Sequence, residues 1–237
     1  MLTTSDIKYQ ADIPLVGHLA SDDTTNSKRP GILLCHEGNG LGEHAKERAR
    51  RLAGLGYVAF CLDMFGVPFE SIEQGSKIIR ALRADLDKLR ARALAGLDFL
   101  AHQQQTDSAK LAAIGFCFGG TTALEIARSG AEVKGVVSFH GVLDTLRPAD
   151  AKNIKGKILI CTGAEDPLAN RERRGIFEQE MQEHNVDWRM IVYGRAAHSF
   201  TNKDVDALSY PGFAYDKYAD ECSWRDRLAF FDEIFAA

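Results

Sequence analysis

The chain has 237 residues, 45% of them hydrophobic and 26% charged, which is ordinary usage for a folded protein and too apolar for disorder. A net charge of -4, with Lys and Arg scattered along the chain, leaves no cationic footprint, so neither nucleic acid nor an anionic membrane is expected as a partner. Met1-Leu2-Thr3-Thr4-Ser5-Asp6 lacks the basic start and apolar run of a signal peptide, and no later stretch is long enough to span a bilayer; a cytoplasmic protein is expected.

Ile7 to Ala20 alternates loosely and reads as one or two leading strands. After it, near-continuous runs of Val, Ile and Leu at 31–36, 57–62, 111–116, 133–139, 157–162 and 188–193 suit strands covered on both faces of a parallel sheet. Helical patterns lie between them, at 43–55, within 71–102, at 119–128, 170–184 and 224–235. In the long one, Ile78, Leu82, Leu86, Leu89, Ala93, Leu97 and Leu100 recur every three or four residues and predict one apolar stripe packed on the sheet. No repeat or linker divides the sequence, so one α/β domain over 1–237 is expected, with ligands bound at the carboxyl ends of its strands.

The five cysteines are odd in number and form no Cys-x-x-Cys pair, so neither a disulfide framework nor a zinc site is suggested. Cys35, Cys61 and Cys161 sit inside apolar runs and read as inert core, and Cys222 carries no signal. Cys117 differs. Gly115-Phe116-Cys117-Phe118-Gly119-Gly120 ends a predicted strand and opens a helix, which is the G-x-S-x-G nucleophile elbow with Cys in place of Ser. Small residues at positions two before and two after relieve the crowding of so sharp a turn. The helix N-terminus in turn favours a thiolate.

An ordinary thiol, with a pKa of about 8.5, is mostly protonated at neutral pH and needs a base, which itself needs an orienting acid. In this fold the chain order is nucleophile, acid, histidine. Asp166 follows the strand that ends at Gly163; the adjacent Glu165 points the other way if the segment is extended and is the alternative. His198 follows the next strand in a loop of small residues. Among the other histidines, His18, His44, His102 and His184 read as surface residues, whereas His36 and His140 end strands and are candidates to line the site. The backbone N–H groups of Phe118 and of Gly38, in the glycine-rich loop after the first parallel strand, are the expected oxyanion donors. That loop has neither dinucleotide spacing nor a Gly-Lys-Ser/Thr ending, which weakens a phosphate-binding reading.

With the elbow, His36-Glu37-Gly38 and Ala197-His198-Ser199-Phe200 in view, the chain resembles the dienelactone hydrolase family over nearly its full length. The resemblance implies an α/β-hydrolase fold with an eight-stranded, mostly parallel sheet and no large cap domain, and a Cys117-His198-Asp166 triad. It also implies that Glu37 lies beside the thiol and helps to deprotonate it when substrate arrives; the residues alone fit a structural hydrogen-bonding role equally well. The namesake enzymes hold a substrate carboxylate with arginines, one of them four residues after the catalytic histidine, where this chain has Asn202. Arg80 and Arg83 are the candidates for the other. The chain is also similar to family members with promiscuous arylesterase and phosphotriesterase activity. The expected partner is therefore a small ester, lactone or phosphotriester, with no cofactor and no metal, on a monomer or homodimer. Acyl transfer on the same triad, and a non-catalytic ligand-binding module, are the other readings. The aromatic segment from Tyr210 to Tyr218 reads as a pocket cover, a dimer contact or an ordinary packed loop.

Overall fold

The computed structural model describes residues 1–24 and 27–236. The leading segment forms two strands, β1 (Leu2–Gln10) and β2 (Pro14–Asp22), paired antiparallel from Leu2 opposite Asp22 to Gln10 opposite Pro14. β2 then pairs antiparallel with β4 (Val58–Leu62) over three positions, from His18 opposite Cys61 to Ala20 opposite Ala59. The remaining strands, β3 (Arg29–Cys35), β5 (Thr106–Phe116), β6 (Gly135–Phe139), β7 (Lys157–Gly163) and β8 (Trp188–Tyr193), join β4 in parallel. The result is an eight-stranded sheet in the order β1-β2-β4-β3-β5-β6-β7-β8.

Alternate side chains of the central strands feed two cores, as the two-residue period of a strand requires. Leu33, Phe60 and Leu62 pack on one face with Leu89, Ala93 and Leu97 of α3 (Leu86–Ala101), Leu124 of α4 (Phe118–Arg128) and Phe177 of α5 (Arg171–Glu183). Ile32, Leu34 and Cys61 pack on the other with Ala49 and Leu52 of α1 (Glu43–Gly54) and Phe230, Phe231 and Ile234 of α6 (Lys217–Ala236). Each such leucine, isoleucine or phenylalanine, fully buried, contributes about 1.5–3 kcal/mol. Chain order reverses about β3, since β4 lies on one side of it and β5 on the other. Loops leaving β3 and β5 therefore diverge and leave a crevice at their carboxyl ends.

The long apolar stripe belongs to two helices. α2 (Ile72–Ala84) ends at Asp85, whose φ of -122° and ψ of 82° are not helical, and whose side chain accepts from Lys88 N to cap α3. The periodicity continues across the break, which hides it from pattern reading. α6 begins at Lys217 and not at 224, because its first turns bury Ala219, Asp220 and Ser223 in place of large apolar residues. Two histidines expected at the surface are largely buried: His18 contacts Asp6 at 2.6 Å, and the His44 side chain is 11% exposed.

Candidate active site

Cys117 sits between β5 and α4 at φ 52° and ψ -116°, a left-handed conformation rare for a residue with a Cβ. Its neighbours explain how the turn closes. A Cβ on Gly115 would lie 1.9 Å from Gly119 O, and one on Gly119 would lie 2.0 Å from Cys35 O. Only glycine lets the elbow fold back on itself and against β3. Cys117 N donates to Phe139 O at 3.0 Å and lies 3.1 Å from His140 Nδ1, fixing the elbow to the end of β6.

His198 Nε2 lies 3.1 Å from Cys117 Sγ, and His198 Nδ1 donates to Asp166 Oδ2 at 2.9 Å. Asp166 Oδ1 accepts from Leu168 N at 2.8 Å, so both carboxylate oxygens are held. Glu165, the alternative acid, is exposed, and Asp144 pairs with Arg173 at 2.8 Å. The loops that carry Asp166 and His198 are stitched together: Ala164 N donates to Tyr193 O and Glu165 N to Ala196 O. A Cβ on Gly163 would come within 2.1 Å of Ala196 O, so this approach also requires glycine. Burial by itself would depress the His198 pKa; the Cys117 sulfur and the Asp166 carboxylate outweigh it and push the imidazole up to about 10.

The loop after β3 carries Glu37 and Gly38. Glu37 O accepts from Gly40 N at 3.2 Å in a turn that needs Gly40 at φ +79°. Across it lies α2, where a Cβ on Gly75 would approach Gly38 O to 2.5 Å. Glu37 is buried, and its Oε2 accepts from Asn202 Nδ2 at 2.6 Å. Burial pushes the Glu37 carboxyl up to about 7, against the opposing pull of the Asn202 amide and the charges of His198 and Arg48. Phe118, the first residue of α4, has an N–H with no intrahelical acceptor.

His140, a candidate to line the site, is fully buried; Nδ1 meets Cys117 N and Nε2 meets Thr201 Oγ1 at 2.8 Å. Burial, then His198, His44 and Arg48 nearby, hold it well below the usual histidine range, so it braces the elbow as a neutral ring. His36 is likewise enclosed, with Nε2 accepting from Met64 N at 3.1 Å. Asn202 does meet Glu37, whereas Arg80 is exposed and Arg83 half-buried on α2, outside the hydrogen bonds just described. Cys117 is half-exposed, while Cys35, Cys61, Cys161 and Cys222 are buried.

The 210–218 segment packs against His198. His198 N donates to Gly212 O at 2.9 Å, Ala214 N donates to His198 O at 3.2 Å, and the Phe213 ring meets the imidazole at 4.6 Å. His44, which reads as a surface residue in the sequence, lies instead against Glu37, with Nδ1 3.3 Å from Oε2. The available signal was its place one turn before Arg48 on the buried stripe Ala45, Arg48, Ala49, Leu52 of α1.

A sheet of this order with a thiol on the strand-to-helix elbow, faced by a buried histidine–carboxylate pair, defines the chain as an α/β-hydrolase. The chain belongs to the dienelactone hydrolase family, whose model matches residues 15–235, and it is a hydrolase of that family. It is 43% identical to the solved structure m3DLH, over 98% of both chains with a TM-score of 0.95. A dienelactone hydrolase-like promiscuous phosphotriesterase from metagenomic libraries is 38% identical, again over 98% of both chains, with a TM-score of 0.94. A probable 2-oxo-3-(5-oxofuran-2-ylidene)propanoate lactonase from Bradyrhizobium sp is 26% identical over 212 residues, 85% of this chain and 82% of the relative.

Proposed function

We propose that the protein hydrolyses carboxylic esters or lactones through a thioester on Cys117. The observation that carries this reading is the unbroken line from the half-exposed Cys117 sulfur to His198 and on to Asp166. Glu37 receives the thiol proton and the thiolate, paired with the His198 imidazolium, attacks the carbonyl carbon, while the N–H groups of Phe118 and Gly38 meet the oxyanion. His198 then protonates the departing alcohol, leaving the acyl group on sulfur. Water, deprotonated by the same imidazole, cleaves the thioester and restores the thiol. Glu37 returns its proton to the sulfur as the acyl group leaves, which closes the cycle.

Neutral substrates are favoured over anionic ones. Asn202 spends its Nδ2 on Glu37 and accepts from Asp204 N through Oδ1, and an amide does not supply the charge-assisted fork of an arginine. An anion desolvated beside Glu37 would lack a countercharge. A neutral aryl ester or aryl phosphotriester avoids that penalty, and the same two donors suit a phosphoryl oxygen. The likeness to a promiscuous phosphotriesterase supports the second substrate class.

The test compares kcat/KM for a matched neutral aryl ester, an aryl phosphotriester and an anionic dienelactone, in the wild type, Cys117→Ala and Asn202→Arg. Cys117→Ala should lose essentially all turnover, and Asn202→Arg should improve the anionic lactone alone. Alkylation of another cysteine first, with activity intact, would reject the nucleophile. Efficient wild-type turnover of the dienelactone, unmoved by Asn202→Arg, would reject the substrate preference.

A further inference from the structure

Glu37 is anchored on one side only. Its Oε2 takes the Asn202 amide at 2.6 Å and lies 3.3 Å from His44 Nδ1, while Oε1 is buried without a hydrogen-bond partner among the described residues. His44 Nδ1 is also buried and not aligned for a hydrogen bond in this arrangement. The contact between the two side chains thus leaves one polar atom of each, Glu37 Oε1 and His44 Nδ1, buried and unsatisfied, although Nδ1 lies within reach of the carboxyl.

The His44 ring is fixed from behind. It packs edge-on against Phe116 at 4.8 Å, and its Nε2 lies 3.2 Å from Thr201 O and 3.4 Å from Arg48 Nε. Arg48 is itself held by Thr201 O at 2.8 Å and Asp220 at 2.7 Å. This surround accepts two tautomers. If Nε2 accepts from Arg48 Nε–H, the ring proton is on Nδ1 and faces an ionised Glu37. If Nε2–H turns to Thr201 O, Nδ1 is left to accept from a protonated Glu37.

We propose that His44 is a positioning residue for Glu37, its Nδ1 the partner that holds the carboxyl while the free Oε1 takes the Cys117 proton. The inference rests on the reading of Glu37 as the group that assists thiol deprotonation. In that step the S–H bond breaks with its electron pair left on sulfur, and an O–H bond forms on Glu37. Negative charge passes from carboxylate to thiolate, and no other reactant is needed. The charged and titratable groups around Glu37 are His44 and Arg48 from α1, Asp204 beyond Asn202, and His198 after β8. Burial and then the adjacent Arg48 push His44 down to about 3, so it works as a neutral ring throughout.

The experiment follows the pH dependence of Cys117 alkylation and of kcat/KM for a neutral aryl ester. A hydrogen bond to the ionised carboxyl is worth more than one to the neutral acid, so His44→Phe should move the Glu37-linked midpoint up by about one pH unit. His44→Gln, which retains a donor and an acceptor, should keep it near the wild-type value. Glu37→Gln should abolish that transition, and adding His44→Phe to it should move nothing further. If Glu37→Gln leaves the profile unchanged, the reading of Glu37 itself fails. If Glu37→Gln abolishes the transition but His44→Phe does not shift it, the role of His44 fails while that of Glu37 stands. Should His44→Phe not fold, nitrogen NMR of the wild type decides: the His44 ring should remain neutral and shift with the same midpoint, and signals flat through that midpoint would overturn the proposal.

Discussion

Cys117, His198 and Asp166 lie far apart in the chain, yet their order along it and their places just past strand ends make their meeting, seen at 3.1 and 2.9 Å, legible in the sequence. Asp166 could be separated from Glu165 by strand alternation, and the exposed Glu165 agrees. The partners of Glu37 were not readable in the same way. His44 comes from the first turn of α1 and Asn202 from beyond β8, so their meeting at Glu37 depends on how α1 packs and not on any local pattern. His140 was legible as a strand-end residue, but its use beneath the elbow depends on the left-handed backbone at Cys117, which turns that N–H towards it. A residue-scale prediction follows from the Asp166 contact. Asp166→Asn offers the imidazole an amide in place of a pure acceptor, so the tautomer with its proton facing sulfur gains weight and the developing imidazolium loses its countercharge. We expect kcat to fall by about ten-thousand-fold with KM little changed. A kcat within tenfold of wild type would move the orienting acid elsewhere.

Among the elements, the parallel strands were legible because burial on both faces writes a continuous apolar run, whereas helix boundaries were hidden wherever the stripe ran on. Asp85 stops α2 and caps α3 without interrupting the apolar spacing. The return segment at 210–214 carries no periodicity at all; its role comes from long-range contacts. Gly212, at φ +80°, presses on Pro167, where a Cβ would come within 2.7 Å of Cγ, and its carbonyl takes His198 N. One short segment thus touches both the loop of Asp166 and His198. Phe213→Ala removes the ring against His198 and leaves that backbone clamp, so kcat should fall by about ten- to a hundred-fold through misplacement of the imidazole, with the alkylation of Cys117 slowed in parallel. Loss of thermal stability without loss of kcat would show the ring to be packing only. Gly119→Ala tests the elbow as an element. Its Cβ would meet the Cys35 carbonyl, a backbone atom that does not swing away, and we expect a loss of roughly 3 kcal/mol or more in urea unfolding. A variant as stable as wild type would mean that β3 and α4 can separate.

At the scale of the whole molecule, buried groups of the site make stability vary with pH, and the windows of His44, His198 and Glu37 differ. His44, held down to about 3 from an ordinary 6.5, adds stability that is present above 6.5 and is lost as pH falls towards 3. His198, pushed up to about 10 from 6.5, acts in the opposite sense: its contribution is full below 6.5 and is lost as pH rises towards 10. Glu37 is raised from 4.5 to about 7, so the folded protein binds a proton that the unfolded chain has already released. Its favourable contribution is complete below 4.5 and disappears by about 7, leaving a desolvated carboxylate above that. Between 4.5 and 6.5 the Glu37 slope opposes those of His44 and of His140, which is also held down, so the contributions partly offset one another in the wild type. Glu37→Gln uncovers them. The amide fills the same space and never ionises, so the variant should gain on the wild type by roughly 3 kcal/mol between pH 4.5 and pH 8. Urea unfolding of both proteins at the two ends of that range measures the gap. A gap of the same size at both ends would mean that Glu37 ionises as freely in the fold as in water, and the carboxyl would then not be the buried, proton-holding group that the site requires.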